Sequence, residues 1–169
     1  MFEIAYAAAS NRICFFTGTG FSKSITGNEA PSWQGLLDDL CDLHPQGDAI
    51  KESLFPDGKI GVLSLEEAAQ VISIELASIE KSIHEEVAKI ISTVELAADN
   101  KHVSDYFTER DFQVITTNYD KLAEKLAGED RCQSITSGLP IPKSSSRVKV
   151  FHVHGSVDSP AKHRGQVLN

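Results

Sequence analysis

Gly18-Thr19-Gly20-Phe21-Ser22 places two glycines one residue apart, after the apolar run at 13–16 and Thr17. Such glycines let main-chain N–H groups approach an anion closely, and a helix N-terminus beyond them adds partial positive charge, which is the chemistry of a phosphate cradle. A Walker P-loop is excluded. Aligning Lys23-Ser24 with its Lys-Ser/Thr pair requires glycines at 17 and 22, where Thr17 and Ser22 stand. The dinucleotide fingerprint G-x-G-x-x-G also fails, because Lys23 occupies its third glycine. A tight strand-to-helix turn without a ligand is the competing reading.

Two further stretches carry groups suited to chemistry. In Thr116-Thr117-Asn118-Tyr119-Asp120, Asn118 either caps a helix that begins at Tyr119 or aims its amide into the same crevice as the glycine turn. Asp120 is correspondingly a first-turn acid or a group that orients what lies around it. His152 and His154 fall on one face of a strand, since side chains alternate with period two. The H-x-H spacing permits a metal pair, but no third ligand has a recognisable spacing and Asp158 is only a loose candidate, so no metal is expected. An imidazole titrating near neutrality can take a proton, and Gly155 permits close approach just after it. The role of His152 stays open.

The elements that must position these groups follow from periodicity. Residues 13–16 read as a buried, central strand. Trp33, Leu36, Leu37, Leu40 and Leu43 recur at helical intervals behind Ser32 as N-cap. Residues 44–63 carry turn chemistry, and Ser64 to Glu67 has the spacing of a capping box. From Ala68 to Val94, apolar residues repeat every three or four positions, as one long amphipathic helix or two in succession, packed on its own core or kept for a partner subunit. A second strand runs through "FQVITTN", followed by a helix carrying Leu122 and Leu126 and stopped by Gly128. "PIPKSSS" is a loop, and "RVKVFHVHGS" a third strand closing on His154-Gly155. Strands alternating with helices predict an α/β fold with a mainly parallel sheet, whose ligands sit beyond the carboxyl ends of the strands. All three polar stretches fall at such ends.

A chain of 169 residues suits one domain, 1–169. The net charge of −8 argues against holding nucleic acid by phosphate neutralisation, which needs a basic surface. Cys14, Cys41 and Cys132 are odd in number and form no C-x-x-C pair, which fits a reducing compartment, with each thiol read as a buried small apolar side chain. The N-terminus has Glu3 and no basic segment before a long apolar run, so no signal peptide is expected, nor any run of roughly 20 apolar residues able to span a bilayer. A cytoplasmic location without membrane contact is the expectation.

In their order, "TGTGFS", "PSW", "TTNYD" and "HVHGS" resemble the sirtuin-like family, in its prokaryotic, zinc-less branch of NAD-consuming domains. The family's pattern is a strand ending in G-A-G-x-S, a T-x-N-x-D loop and a strand ending in H-G; Thr19 stands where alanine is usual. The resemblance implies a Rossmann-like sheet with helices on both faces and a helical insertion at about 64–110. It implies NAD as substrate, its pyrophosphate on Gly18, Thr19, Gly20, Phe21 and Ser22, its nicotinamide ribose near Asn118, with Thr117 and Gly155 among the residues that bind the dinucleotide, His154 as general base and Asp120 setting hydrogen-bond geometry. Asp38 and Asp39, about 20 residues past the glycines, sit in a helical pattern and are left unassigned.

Deacetylating sirtuins carry a four-cysteine zinc module after the H-G element, and nothing here supplies it. That shifts the implied activity from protein deacylase or ADP-ribosyl transferase towards NAD glycohydrolase. Members of this branch resemble antiviral effectors that deplete NAD and work with a sensor, an ATPase or an Argonaute-like protein; a homo-oligomer is implied as well. Because the family continues with further strands, the chain is expected to be the N-terminal part of a longer domain. A non-catalytic module that binds NAD or ADP-ribose, or scaffolds an oligomer through 65–94, is the alternative.

Overall fold

The computed structural model describes residues 2–136 and 145–156. These form two compact units, one of residues 2–29, 95–136 and 145–156 and one of Ala30–Val94. The first holds a four-stranded sheet in the order β1-β2-β4-β3, with β1 at Cys14–Thr17, β2 at Phe112–Thr116, β3 at Cys132–Thr136 and β4 at Val148–His152. Every pairing is parallel. Around it lie α1 (Phe2–Ala9), α2 (Thr19–Ile25), α7 (Lys101–Glu109) and α8 (Leu122–Ala127), an arrangement consistent with a Rossmann-like fold.

Alternation decides what each strand buries. Phe112, Val114 and Thr116 of β2, and Val148, Val150 and His152 of β4, are buried side by side on one face. An aromatic cluster grips that face: Phe112 meets Phe15 at 5.4 Å and Phe107 of α7 at 4.7 Å, both edge-on. Phe107 in turn stacks on Phe21 at 5.9 Å, which anchors the first turn of α2. The far end of α2 is held through the Ile25 carbonyl, which accepts from the Ala97 N–H at 2.9 Å and from the Asn100 side-chain amide. At the C-terminal ends of the strands, Thr17, Thr116, His152 and Thr136 form one register row. Beyond this polar row lie the loops that carry the candidate site.

The Ala30–Val94 unit is helical, with α3 (Trp33–Cys41), α4 (Gly47–Leu54), α5 (Leu65–Ser78) and α6 (Ile83–Ser92). Its core gathers Leu36, Leu37, Leu40, Leu54, Phe55, Ala68, Ile72 and Leu76. Ser32 caps α3 by accepting from the Gly35 N–H at 3.0 Å, and the capping box at α5 is complete, Ser64 and Glu67 each bonding the other's main-chain N–H. The long apolar repeat is two helices, broken where Ile79 ends α5 and Glu80 takes φ +60°. Glycine is required at Gly47, the first residue of α4, since a Cβ there would stand 2.3 Å from the Cys41 carbonyl oxygen. Among the described residues, no helix is long and apolar enough to cross a membrane.

Several expectations need correction. β1 lies at the edge of the sheet among the described residues, with Cys14 and Phe16 exposed rather than buried; a four-residue apolar run looks the same at an edge as in the middle, because only its neighbours distinguish the two. Cys41 is buried as expected, and Cys132 is half-buried. The strand β3 had no apolar run to announce it, since Gln133, Ser134 and Thr136 are polar. The helical segment expected at about 64–110 begins earlier, at α3, while α7 belongs to the sheet unit. Part of "PIPKSSS" lies outside the described residues.

Leu40 is fully buried in the helical unit. Leu40→Ala should lower unfolding stability by about 2–5 kcal/mol, the range for a buried leucine that leaves a cavity. A urea midpoint equal to that of the unaltered protein would show that this core is not packed as described.

Candidate active site

The glycine turn is built by the end of β1 and the start of α2. Gly18 is the N-cap of α2 in extended conformation, φ −140° and ψ −166°, with the turn closed by the Phe21 N–H donating to the Gly18 carbonyl at 2.9 Å. The Thr117 N–H donates to the Thr17 carbonyl at 3.2 Å, so the loop after β2 is stitched to the turn after β1. A Cβ on Gly20 would meet nothing within 4 Å, whereas one on Gly18 would touch the Thr117 hydroxyl at 3.4 Å. The backbone at Gly20 therefore faces open space. Thr17 Oγ1 is buried and lacks a hydrogen-bond partner among the described residues.

Ser22, buried on the first turn of α2, is the junction between the two loops. Its hydroxyl lies 2.7 Å from Asp120 Oδ2 and 2.7 Å from Asn118 Nδ2. An ionised carboxylate only accepts, so the Ser22 proton goes to Asp120 and the Ser22 lone pair takes an N–H of Asn118. That fixes the amide, with its nitrogen on Ser22 and Oδ1 turned away without a hydrogen-bond partner among the described residues. Asp120 also accepts the Leu122 N–H, the first of α8, at 3.1 Å through Oδ1. Burial pushes the Asp120 carboxyl above its ordinary 3.8, opposed by the bonds from Ser22 and Leu122; Glu124 adds to the rise and His152 opposes it.

The helix expected from Tyr119 starts at Leu122, and Asn118 is not its cap. The Asn118 main chain is engaged elsewhere. Its N–H donates to Thr116 Oγ1 at 3.1 Å, and its carbonyl lies 3.1 Å from His152 Nδ1. The other ring nitrogen of His152 meets Glu124 Oε1 of α8 at 2.7 Å. Both side chains are buried, and Glu124 Oε2 has no hydrogen-bond partner among the described residues.

The two histidines do not share a strand face. β4 ends at His152, Val153 and His154 turn away from the sheet line, and the Gly155 N–H closes back on the His152 carbonyl at 3.4 Å. Gly155 has φ +88°, a conformation that L side chains resist, so glycine is needed to end the strand this way. His154 is left exposed, with no hydrogen-bond partner among the described residues. The structure thus brings Ser22, Asn118 and Asp120 into one network, adds His152 and Glu124 behind it, and leaves the His154 side chain outside it. Phe21 points its ring into the aromatic cluster. Asp38 and Asp39 lie on α3, in the helical unit. No group of three or more candidate metal ligands occurs among the described residues, and Asp158 lies outside them.

Glu124 is the site-adjacent residue that sequence reasoning missed. Its signal was an acid between the buried Ala123 and Leu126 of a short helix, matched by a histidine continuing the buried alternation Val148, Val150.

A family model for the SIR2-like domain matches residues 113–167, from β2 through the Asn118 loop and past β4, and supports a sirtuin-like family. Domains of this kind use NAD. No curated protein matches the chain. The glycine turn precedes the matched range, so its place in the site rests on the Ser22 hydrogen bonds.

A carboxyl whose pKa is raised on folding stabilises the protein fully below its unfolded pKa, and that contribution is lost as pH rises through the folded value. Against an Asp120→Asn variant, the unaltered protein should therefore lose relative stability as pH climbs from 3.8 through the higher folded value. Paired urea titrations across acidic pH check this; a difference independent of pH would show that Asp120 titrates normally.

Proposed function

We propose that the protein is an NAD glycohydrolase, releasing nicotinamide and ADP-ribose, and that it serves as an NAD-depleting effector in prokaryotic antiviral defence. The observation that carries this reading is the Ser22 hydroxyl shared by Asn118 and Asp120, which joins the glycine turn to the loop inside the SIR2-like match. The fit to NAD is supported by the open space at Gly20 and by the unengaged oxygen of Asn118. In this reading, the turn of Gly18, Thr19, Gly20, Phe21 and Ser22 takes the pyrophosphate, Asn118 faces the nicotinamide ribose, and Thr117 and Gly155 line the dinucleotide beside it.

Breaking the nicotinamide–ribose bond builds positive charge on the sugar, so the site must hold that sugar, position a water and manage one proton. Asn118 Oδ1 accepts from a ribose hydroxyl or from the attacking water, fixed in direction because the amide nitrogen is committed to Ser22. The water oxygen bonds to the ribose carbon as nicotinamide leaves with the bonding electrons. The water's proton passes to the His154 imidazole, whose exposure lets it return that proton to solvent. Partnership with an ATPase, an Argonaute-like protein or a sensor and homo-oligomer formation belong to the same proposal and rest on the resemblance; a cytoplasmic setting belongs to it too and rests on the cysteine pattern and the N-terminal sequence.

The exposure of His154 outside the hydrogen-bonded network favours a second reading, a module that binds NAD or ADP-ribose without turnover. Calorimetric binding with no nicotinamide release would select it. Release that requires an acylated peptide or a protein acceptor would select a deacylase or an ADP-ribosyl transferase.

Chromatography of NAD incubated with the purified protein should show nicotinamide and ADP-ribose appearing together. His154→Ala should slow their release by roughly 10²–10⁴-fold, the usual contribution of a general base, and Asn118→Ala should also slow it strongly. Rates unchanged in both variants would overturn the proposal.

A further inference from the structure

We propose that the buried Glu124–His152 couple is the positioning device for Asn118, locking its main chain so that its side-chain amide stays aligned on Ser22; the catalytic consequence rests on the NAD reading above. Hydrogen-bond direction carries the first step. The Asn118 carbonyl oxygen can only accept, so His152 Nδ1 carries a proton and donates it across 3.1 Å. One proton then lies between His152 Nε2 and Glu124 Oε1, 2.7 Å apart. Whether it sits on the ring or on the carboxyl, the couple has no net charge, which is how two ionisable groups can be buried together.

Both ring nitrogens are therefore committed. His152 cannot act as a general base without giving up a bond, and its imidazole cannot flip without exchanging the Nδ1–H donor for a ring C–H against the Asn118 carbonyl. What it does is hold. Asn118 is clamped through its N–H on Thr116 Oγ1, its carbonyl on His152 and its amide on Ser22. Glu124 supplies the fixed end of that clamp from α8, whose first N–H, that of Leu122, is held by Asp120. An apolar pair of similar volume often serves a core as well as an ion pair does. Here Glu124 Oε2 is buried without a hydrogen-bond partner among the described residues, so the couple has an unmet polar cost that packing alone does not explain.

The test compares Glu124→Gln with Glu124→Leu. Glutamine can donate its amide N–H to His152 Nε2, which keeps Nδ1–H on the Asn118 carbonyl; leucine offers no donor and frees the ring. For nicotinamide release, Glu124→Leu should lower kcat by up to about 10²-fold with little change in the KM for NAD, the signature of a misplaced group. Glu124→Gln should recover most of that loss. Equal damage in the two variants, or loss confined to KM, would overturn the proposal.

A readout independent of NAD keeps failure of the clamp distinct from failure of the NAD reading. In nitrogen-15 spectra of the unaltered protein, His152 should show a slowly exchanging, hydrogen-bonded Nδ1 proton. The Asn118 side-chain amide signals should shift in Glu124→Leu and stay near their positions in Glu124→Gln. An unprotonated Nδ1, or Asn118 signals indifferent to Glu124→Leu, would overturn the clamp even if NAD is hydrolysed. If Glu124→Leu does not fold, the His152 spectrum of the unaltered protein decides alone.

Discussion

A hydroxyl has one proton to give, and in this protein the Ser22 hydroxyl gives it to Asp120 while taking an N–H from Asn118. That single group sets a direction through residues 96 and 98 positions away along the chain. Because Asp120 can only accept when ionised, the order of donors is forced from the carboxylate back to the amide. Asn118 must then show its oxygen to whatever enters beyond the strand ends. Reverse the Ser22 proton and the amide reverses with it, turning an acceptor for sugar hydroxyls into a donor.

Much of the fold keeps that junction in register. The parallel pairing of β1 with β2 sets the turn carrying Ser22 beside the loop carrying Asn118, and the Thr117 to Thr17 main-chain bond closes the seam. Phe21, stacked on Phe107, holds the first turn of α2 against the aromatic cluster, so Ser22 cannot swing without unpacking a ring. Behind the loop, β4 delivers His152 and α8 delivers Glu124, both from the buried side of the sheet. Polar groups buried in this way reward a fully satisfied arrangement and penalise a partial one, which makes the loop geometry all-or-none rather than adjustable. Polar chemistry thus sits at one end of the sheet because parallel strands finish together there and leave their next residues free.

The alternation of strands and helices was legible because each strand but one carries an apolar run and the helix caps are spelled out locally. Ser32, the Ser64–Glu67 box and Gly128 all stand where their chemistry is used. β3 was not legible, since its polar residues resemble a loop until the neighbouring β4 is known. The edge position of β1 was hidden for a related reason: a strand's neighbours are a non-local property. At the site, the family resemblance pointed to Ser22, Asn118 and Asp120, but the bonds of Ser22 to the other two span nearly a hundred residues and no local spacing encodes them. The two histidines show the limit of periodicity most clearly. Period two put His152 and His154 on one face, and it held only as far as His152, where the left-handed Gly155 closes a turn and leaves one imidazole buried and the other exposed.

The central claim is that the Ser22 hydroxyl aligns Asn118 for chemistry on the nicotinamide ribose. Nicotinamide release from NAD by Ser22→Ala, beside the unaltered protein, tests it most directly. With the protein still folded, the variant should be slower by about 10²-fold, the cost of misplacing a reacting group by about 1 Å. Release at the unaltered rate would contradict it.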